Sequence, residues 1–280
     1  MLTYLQANTA KNSVEKHAIL FLHAFPLSAA MWQPQIGALG KAGYTVIAPN
    51  SFGIDGSAEK EEWTFTDYAH ELASLLDSLK VERATVVGLS MGGYQAFEFY
   101  LLYPGRTASL VLCDTRAEAD APAARSARED FISAVERKGA GEAAGRMIPN
   151  YFTDNTYTSR PELAAQAEAM IITQSPAVIN GAMRAIMTRS DATSLLSAID
   201  CPVLVLNGEE DKVTTKDTAE SIHTRIPGSQ LRLLLGAGHI SNMEQPEAFN
   251  RALVAHLVTL PDYQAVQKSQ GTRRQPHRYQ

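Results

Sequence analysis

Six short apolar runs recur along the chain: 18–22 (AILFL), 45–48 (TVIA), 84–87 (ATVV), 109–113 (SLVLC), 203–206 (VLVL) and 231–235 (LRLLL). They are rich in Val, Leu and Ile and mostly lack polar alternation, which is the pattern of strands buried on both faces of a parallel sheet. Between them, apolar residues recur every three or four positions. Tyr68, Leu72, Leu75, Leu76 and Leu79 form one such series, and Phe249, Leu253, Leu257 and Leu260 another. This spacing predicts helices that each lay one face on the sheet. Pro104 closes the helix after residue 91, Pro246 suits the first turn of the last helix and Pro261 ends it. Strand and helix therefore alternate, which predicts an α/β fold with a mostly parallel central sheet and crossover helices.

The alternation breaks between Glu118 and Leu195, a stretch rich in Ala, Met and Arg with helical spacing such as Met183, Ile186 and Met187. Loop breaks at Ile148-Pro149-Asn150 and Ser175-Pro176 divide it into several short helices, expected to sit over the sheet as a cap. The chain thus divides into a core over 1–117 and 196–261 and a helical cap over 118–195. Met147, Met170, Met183 and Met187 fall in the cap, and flexible thioethers suit an adaptable pocket. Met147, Met183 and Met187 are candidate substrate contacts, with ordinary helix packing as the alternative. Residues 262–280 are polar, with Lys268, Arg273, Arg274 and Arg278 against one acid. They read as a disordered tail rather than a nucleic-acid arm.

Composition narrows the class. With 280 residues, 45% hydrophobic and 20% charged, 18 Gly and 13 Pro, the chain is not collagen-like, disordered or a coiled coil. Its longest apolar run falls far short of the roughly 20 residues of a membrane span. Residues 1–17 lack a basic start followed by a leucine-rich block, so a cytoplasmic location is expected. Cys113 and Cys201 each border an apolar run and are expected as small hydrophobes rather than a disulfide. A net charge of −5 argues against a nucleic-acid partner. No Walker loop, HExxH or paired CxxC occurs, so neither nucleotide nor metal nor other cofactor is implied. The expected partner is a small molecule, and the oligomeric state stays open.

The chemistry concentrates at three loops. Gly88-Leu89-Ser90-Met91-Gly92 lies between the run at 84–87 and a predicted helix. A nucleophilic serine must project from such a tight strand-to-helix turn, and small residues two positions away on either side relieve its crowding. Serine is a weak nucleophile at neutral pH and requires a base, which in turn requires a carboxylate to fix its tautomer. Asp211 follows the run at 203–206 and His239 follows that at 231–235, giving the chain order Ser, Asp, His. Asp114 also follows a strand run and is the competing acid. For a developing oxyanion, the Met91 N–H at a helix start is the first candidate donor. The Phe25 N–H in His23-Ala24-Phe25-Pro26 is the second, since Pro26 has no N–H. His23 is read as a brace for that loop or a pocket residue. The other histidines, His17, His70, His223, His256 and His277, fall on helices or near chain ends. Arg116, Arg184 and Arg189 could meet a substrate carboxylate, but solvated surface positions are expected for each.

On these pieces, together with GLSMGG at 88–93, GEED at 208–211 and GAGH at 236–239 followed by NMEQP at 242–246, the sequence resembles the α/β-hydrolase family of lidded serine hydrolases. Within it, the chain is similar to the esterase and 3-oxoadipate enol-lactonase branch. The resemblance covers roughly residues 15 to 260. The family usually has Gly where Ala24 stands. The resemblance implies an α/β-hydrolase fold and a cofactor-free serine hydrolase cleaving a small carboxylic ester or lactone through an acyl-enzyme on Ser90. Two alternatives share the same residues: C–C bond hydrolysis or perhydrolysis, and a non-catalytic or slow-turnover ligand receptor on the hydrolase scaffold.

Overall fold

The computed structural model describes residues 1–8, 15–261 and 263, so the tail expected over 262–280 lies outside the described residues except for Tyr263. The chain begins with strand β1 (Tyr4–Ala7) and β2 (Glu15–Leu22), followed by α1 (Gln33–Lys41), β3 (Val46–Pro49), α2 (Phe65–Ser78), β4 (Val81–Leu89), α3 (Met91–Leu102) and β5 (Thr107–Cys113). A helical stretch follows: α4 (Pro122–Lys138), α5 (Ala140–Met147), α6 (Asp154–Ser159), α7 (Pro161–Ile172) and α8 (Pro176–Met187). The alternation then resumes with β6 (Val203–Gly208), α9 (Lys216–Arg225), β7 (Gln230–Leu234), α10 (Ser241–Glu244) and α11 (Pro246–Leu257).

The strands form one sheet in the order β1-β3-β2-β4-β5-β6-β7, parallel throughout except for β1 against β3. Each of the six apolar runs lies in or overlaps a strand. β3 and β5 are buried along their whole length, as central parallel strands must be with helices on both faces. β7 differs because it is the sheet edge: Gln230 and Arg232 face solvent while Leu231 and Leu233 are half-buried. β1, the other edge, has no continuous apolar run and alternates too briefly to stand out.

Helix α2 starts at a reciprocal cap, with Thr64 Oγ1 accepting from Asp67 N–H and the Asp67 carboxylate accepting from Thr64 N–H. It buries Tyr68, Leu72, Leu75 and Leu76. Helix α11 does the same with Phe249, Leu253 and Leu257. In the stretch between β5 and β6, α4 packs on α8 and α5 on α7, burying Phe131, Val135, Ile171, Ile179 and Ile186. Because the sheet is parallel, the carboxyl ends of β2, β4, β5, β6 and β7 share one rim, and the loops leaving them are the ones that carry the candidate chemistry.

One expectation is corrected here. Arg189 is not a solvated surface residue. It is buried, pairs with Asp120 at 2.8 Å and lies over the Tyr94 ring at 4.3 Å from its centroid. A guanidinium can leave water only where carboxylate and aromatic partners replace its hydration, and Asp120 and Tyr94 do so. His17 lies within β2, its ring tilted against that of Tyr263 with centroids 4.1 Å apart. His256 on α11 is buried against the sheet, with Nε2 2.6 Å from Ser109 Oγ. Cys113 and Cys201 are both free thiols.

Burial lowers the pKa of His256 from 6.5 to about 4. The unfolded chain therefore binds this proton first as pH falls, so the stability contributed by the neutral folded imidazole is complete above pH 6.5 and is lost progressively towards pH 4. We predict that Tm falls between pH 7 and pH 5, and that His256→Gln reduces this slope while lowering Tm at pH 7. Thermal melts across that range provide the check.

Candidate active site

Ser90 sits between β4 and α3 with φ +55° and ψ −111°, a conformation that a non-glycine residue adopts at a cost of about 1–3 kcal/mol. Its surroundings hold it there. Ser90 N–H donates to the Cys113 carbonyl at 2.9 Å, and the Ser90 carbonyl accepts from Gly93 N–H at 2.9 Å and Thr115 Oγ1 at 2.8 Å. The flanking glycines are explained by space: a Cβ on Gly88 would lie 2.1 Å from the Gly92 carbonyl oxygen, and one on Gly92 the same distance from that of Leu22. No side chain fits at either position, so the turn can close tightly enough to lift the Ser90 hydroxyl off the rim.

That hydroxyl lies 2.9 Å from His239 Nε2, and His239 Nδ1 lies 2.9 Å from Asp211 Oδ2. His239 is 3% exposed and Asp211 5%, so the chain of contacts is shielded from bulk water. Asp211 occupies an Asx-type turn in which its Oδ1 accepts from Val213 N–H at 2.7 Å and Thr214 N–H at 3.0 Å. Thr214 Oγ1 donates to Asp211 Oδ2 at 2.5 Å and lies 3.3 Å from His239 Nδ1. Burial acts to raise the Asp211 pKa, but the neighbouring His239 and these hydrogen bonds outweigh it and hold the carboxyl below its ordinary range. An ionised acceptor facing Nδ1 fixes the Nδ1–H tautomer and leaves Nε2 to accept the serine proton.

Asp114, the competing acid, has a different set of partners. Its Oδ1 accepts from Gly208 N–H at 2.7 Å and its Oδ2 from Ser241 Oγ at 2.5 Å, so its carboxyl ties the end of β6 to the start of α10 without a hydrogen bond to His239. Complete burial, and then the nearby Asp211 charge, push its pKa well above the carboxylate range.

On the loop after β2, His23 donates from Nδ1 to the Ala24 carbonyl at 3.0 Å and accepts at Nε2 from Ser51 N–H at 3.0 Å. Both bonds suit a neutral ring, and complete burial lowers its pKa to about 4 against the opposing Ala24 bond. Ala24 N–H donates to Met31 Sδ at 3.2 Å. The Phe25 and Met91 N–H groups are buried, and among the described residues neither donates to a protein acceptor. Two shielded amides with free donors, one of them at the start of α3, can meet a negative charge that forms beside Ser90.

Three methionines were expected near the pocket. Met183 is buried with its sulfur 3.4 Å from Arg128 Nη1. Met187 borders a cavity of about 490 Å³ shared with Trp63 and Arg184, of which Ser90 and His239 are not lining residues. Met147 is half-buried at the end of α5. The structure joins Ser90, His239 and Asp211 into one hydrogen-bonded series and includes none of these methionines in it. Thr214 escaped the sequence reading, although the Asp-x-x-Thr spacing is a visible turn signal. Tyr151 and Gln174, which bond to the loop after β2, have no local signal because their partners are remote in the chain, whereas Glu244 accepts from Gly238 only six residues before it. Among the described residues, no group of three or more His, Cys, Asp or Glu could hold a metal ion. No helix among them is long and apolar enough to cross a membrane.

Comparison with known proteins agrees with this fold. Residues 17–246 match the family model for the alpha/beta hydrolase fold. The chain is 29% identical over 233 residues to 3-oxoadipate enol-lactonase 1 of Acinetobacter baylyi, covering 83% of this chain and 85% of the relative. Among solved structures it is similar to a thermophilic esterase from Thermogutta terrifontis, at 34% identity, with 92% of this chain and 93% of that chain covered and a TM-score of 0.86. The enol-lactonase from Burkholderia xenovorans is similar at 25% identity, with 92% and 96% covered and a TM-score of 0.83.

The contact between Thr214 and Asp211 yields a prediction. Thr214→Val removes the hydroxyl that holds Asp211 against His239, and should slow phosphonylation of Ser90 by a fluorophosphonate roughly tenfold. Circular dichroism should show the fold unchanged. An unaltered labelling rate would mean that Thr214 does not help to set the acid.

Proposed function

We propose that this chain, which belongs to the α/β-hydrolase fold family, is a serine hydrolase that cleaves small carboxylic esters or lactones through an acyl-enzyme on Ser90. The observation that carries this reading is the continuous series Ser90 Oγ, His239 Nε2, His239 Nδ1 and Asp211 Oδ2, with both contacts at 2.9 Å. The enol-lactonase and esterase relatives make a small ester or lactone the natural substrate class. The cytoplasmic location expected from the sequence belongs to the same reading.

In this mechanism Ser90 Oγ attacks the substrate carbonyl carbon while its proton passes to His239 Nε2. The imidazolium that results is stabilised at Nδ1–H by Asp211, whose carboxylate is already ionised and needs no reorganisation. The carbonyl oxygen becomes an oxyanion and accepts from the N–H groups of Phe25 and Met91. Collapse of the tetrahedral species breaks the acyl C–O bond, and the leaving oxygen takes the proton from His239. For a lactone that oxygen stays tethered to the acyl chain. Water then enters, gives a proton to His239 and attacks the acyl-enzyme through the same oxyanion site, returning the proton to Ser90 as the acid departs.

A non-catalytic receptor would not need Ser90 in a costly backbone conformation directly against a base and an ionised acid, so the geometry favours turnover. Short p-nitrophenyl esters, simple lactones and enol-lactones, tested at multiple turnover, separate the two. Wild type should hydrolyse at least one class, and Ser90→Ala should lose on the order of a millionfold in kcat while remaining folded. Near-wild-type activity in Ser90→Ala would refute the nucleophile. The two acids should separate as well. Asp211→Asn should cost about 10⁴-fold in kcat because it mis-sets the imidazole tautomer. Asp114→Asn can still accept from Gly208 and face Ser241 and should cost far less. Equal losses would show that Asp114 shares the work of orienting His239.

A further inference from the structure

The stretch between β5 and β6 touches both sides of the site. Tyr151 Oη donates to the Phe25 carbonyl at 2.8 Å, and Gln174 Nε2 donates to the Pro26 carbonyl at 2.6 Å. Two successive carbonyls of the loop after β2 are thus satisfied by donors from the helical insertion. The Ala24 carbonyl is held from within the loop, by His23 Nδ1 at 3.0 Å and Leu27 N–H at 2.9 Å. Among the described residues, every polar group of this loop from Ala24 N to Pro26 O therefore has a protein partner except the Phe25 N–H. A loop held at all its other polar groups presents that one donor in a fixed place.

The same segment reaches the base. The Tyr151 carbonyl accepts from Ile240 N–H at 2.9 Å. Glu244 accepts from Gly238 N–H at 2.6 Å with one oxygen, and with the other from Thr153 N–H at 2.8 Å and Thr153 Oγ1 at 2.7 Å. The residues immediately before and after His239 are thus both tied to 151–153, directly or through one carboxylate. The backbones also meet, since a Cβ on Gly238 would lie 3.0 Å from Tyr151 O and Phe152 C. The Tyr151 ring centroid lies 6.5 Å from that of His239.

We propose that Tyr151, assisted by Gln174, is a positioning residue that holds the oxyanion amide of Phe25 in register with His239, so that the helical insertion is part of the catalytic apparatus as well as a cover. This rests on the function proposed above. Its hydroxyl touches the peptide carbonyl of the residue whose N–H meets the oxyanion, and its own carbonyl touches the residue after the base. Burial holds the Tyr151 phenol well above its ordinary pKa, so it remains a donor at any working pH. Removing the hydroxyl frees the Phe25 carbonyl and lets the amide drift from the place where charge develops. That loss affects the transition state more than the bound substrate.

The test compares Tyr151→Phe and Gln174→Met with Tyr100→Phe, which deletes a hydroxyl bonded to Asp200 at 2.8 Å in the link between α3 and β6. Readouts are kcat and KM on a p-nitrophenyl ester and the Ki of a trifluoromethyl ketone, which forms a tetrahedral adduct on the serine. Tyr151→Phe should lower kcat about tenfold with KM nearly unchanged, and should weaken the ketone by the same factor. Gln174→Met should move both in the same direction by less. Tyr100→Phe should lower Tm while leaving kcat and the Ki in place. The proposal is overturned if Tyr151→Phe and Gln174→Met keep wild-type kcat, if kcat falls without a matching loss in ketone affinity, or if Tyr100→Phe produces the same kinetic losses. A wild-type chain inert to esters, lactones and a fluorophosphonate alike would instead overturn the function on which the proposal rests.

Discussion

Everything in this molecule that bears on chemistry depends on keeping one serine in a backbone conformation that serines avoid. At φ +55° Ser90 is strained, and an isolated strand-to-helix turn would relax. It cannot relax here because its N–H is bonded to Cys113 on β5, its carbonyl takes Gly93 and Thr115, and Gly88 and Gly92 let neighbouring backbone close in where any side chain would collide. The cost is borne by the parallel sheet, whose β4 and β5 are buried almost throughout. Burial of a central strand thus fixes a hydroxyl at the sheet's rim, and strand, packing and reactivity form one argument.

Around that hydroxyl, two buried aspartates at the ends of adjacent strands have opposite electrostatic fates. Asp211 faces an imidazole and a threonine hydroxyl and is held low. Asp114, given one amide and one hydroxyl and set beside the Asp211 charge, is held high. Two like charges this close are costly to ionise together, and the fold resolves the conflict by giving only one of them an imidazole partner. Asp114 then serves as a tie between the end of β6, just before the acid, and the start of α10, just after the base.

How much of this was legible in the sequence follows from how local each feature is. The continuous apolar runs identified the inner strands because burial on both faces leaves no room for polar alternation. The edge strand β1, Tyr4–Ala7, has a mixed pattern and was not seen. The Gly-x-Ser-x-Gly turn was legible because the steric demand falls within five consecutive residues, and Asp211 and His239 because each lies in the loop that follows a strand. Arg189 was misread as a surface residue: a lone arginine in a helical stretch gives no sign of the Asp120 carboxylate and Tyr94 ring that receive it. Tyr151 and Gln174 were illegible for the same reason. Tyr151 and Gln174 meet their partners in the loop after β2 across more than a hundred residues of chain, a juxtaposition that only the folded backbone produces.

The central claim is that a covalent acyl group forms on Ser90. Mass spectrometry after a rapid acid quench, during turnover of p-nitrophenyl acetate, tests it directly. The account predicts one added acetyl group on the peptide containing Ser90, accumulating in the first turnover and absent from Ser90→Ala. Turnover with no acylated protein at any quench time, or with the acetyl group on another residue whose loss abolishes activity, would contradict it.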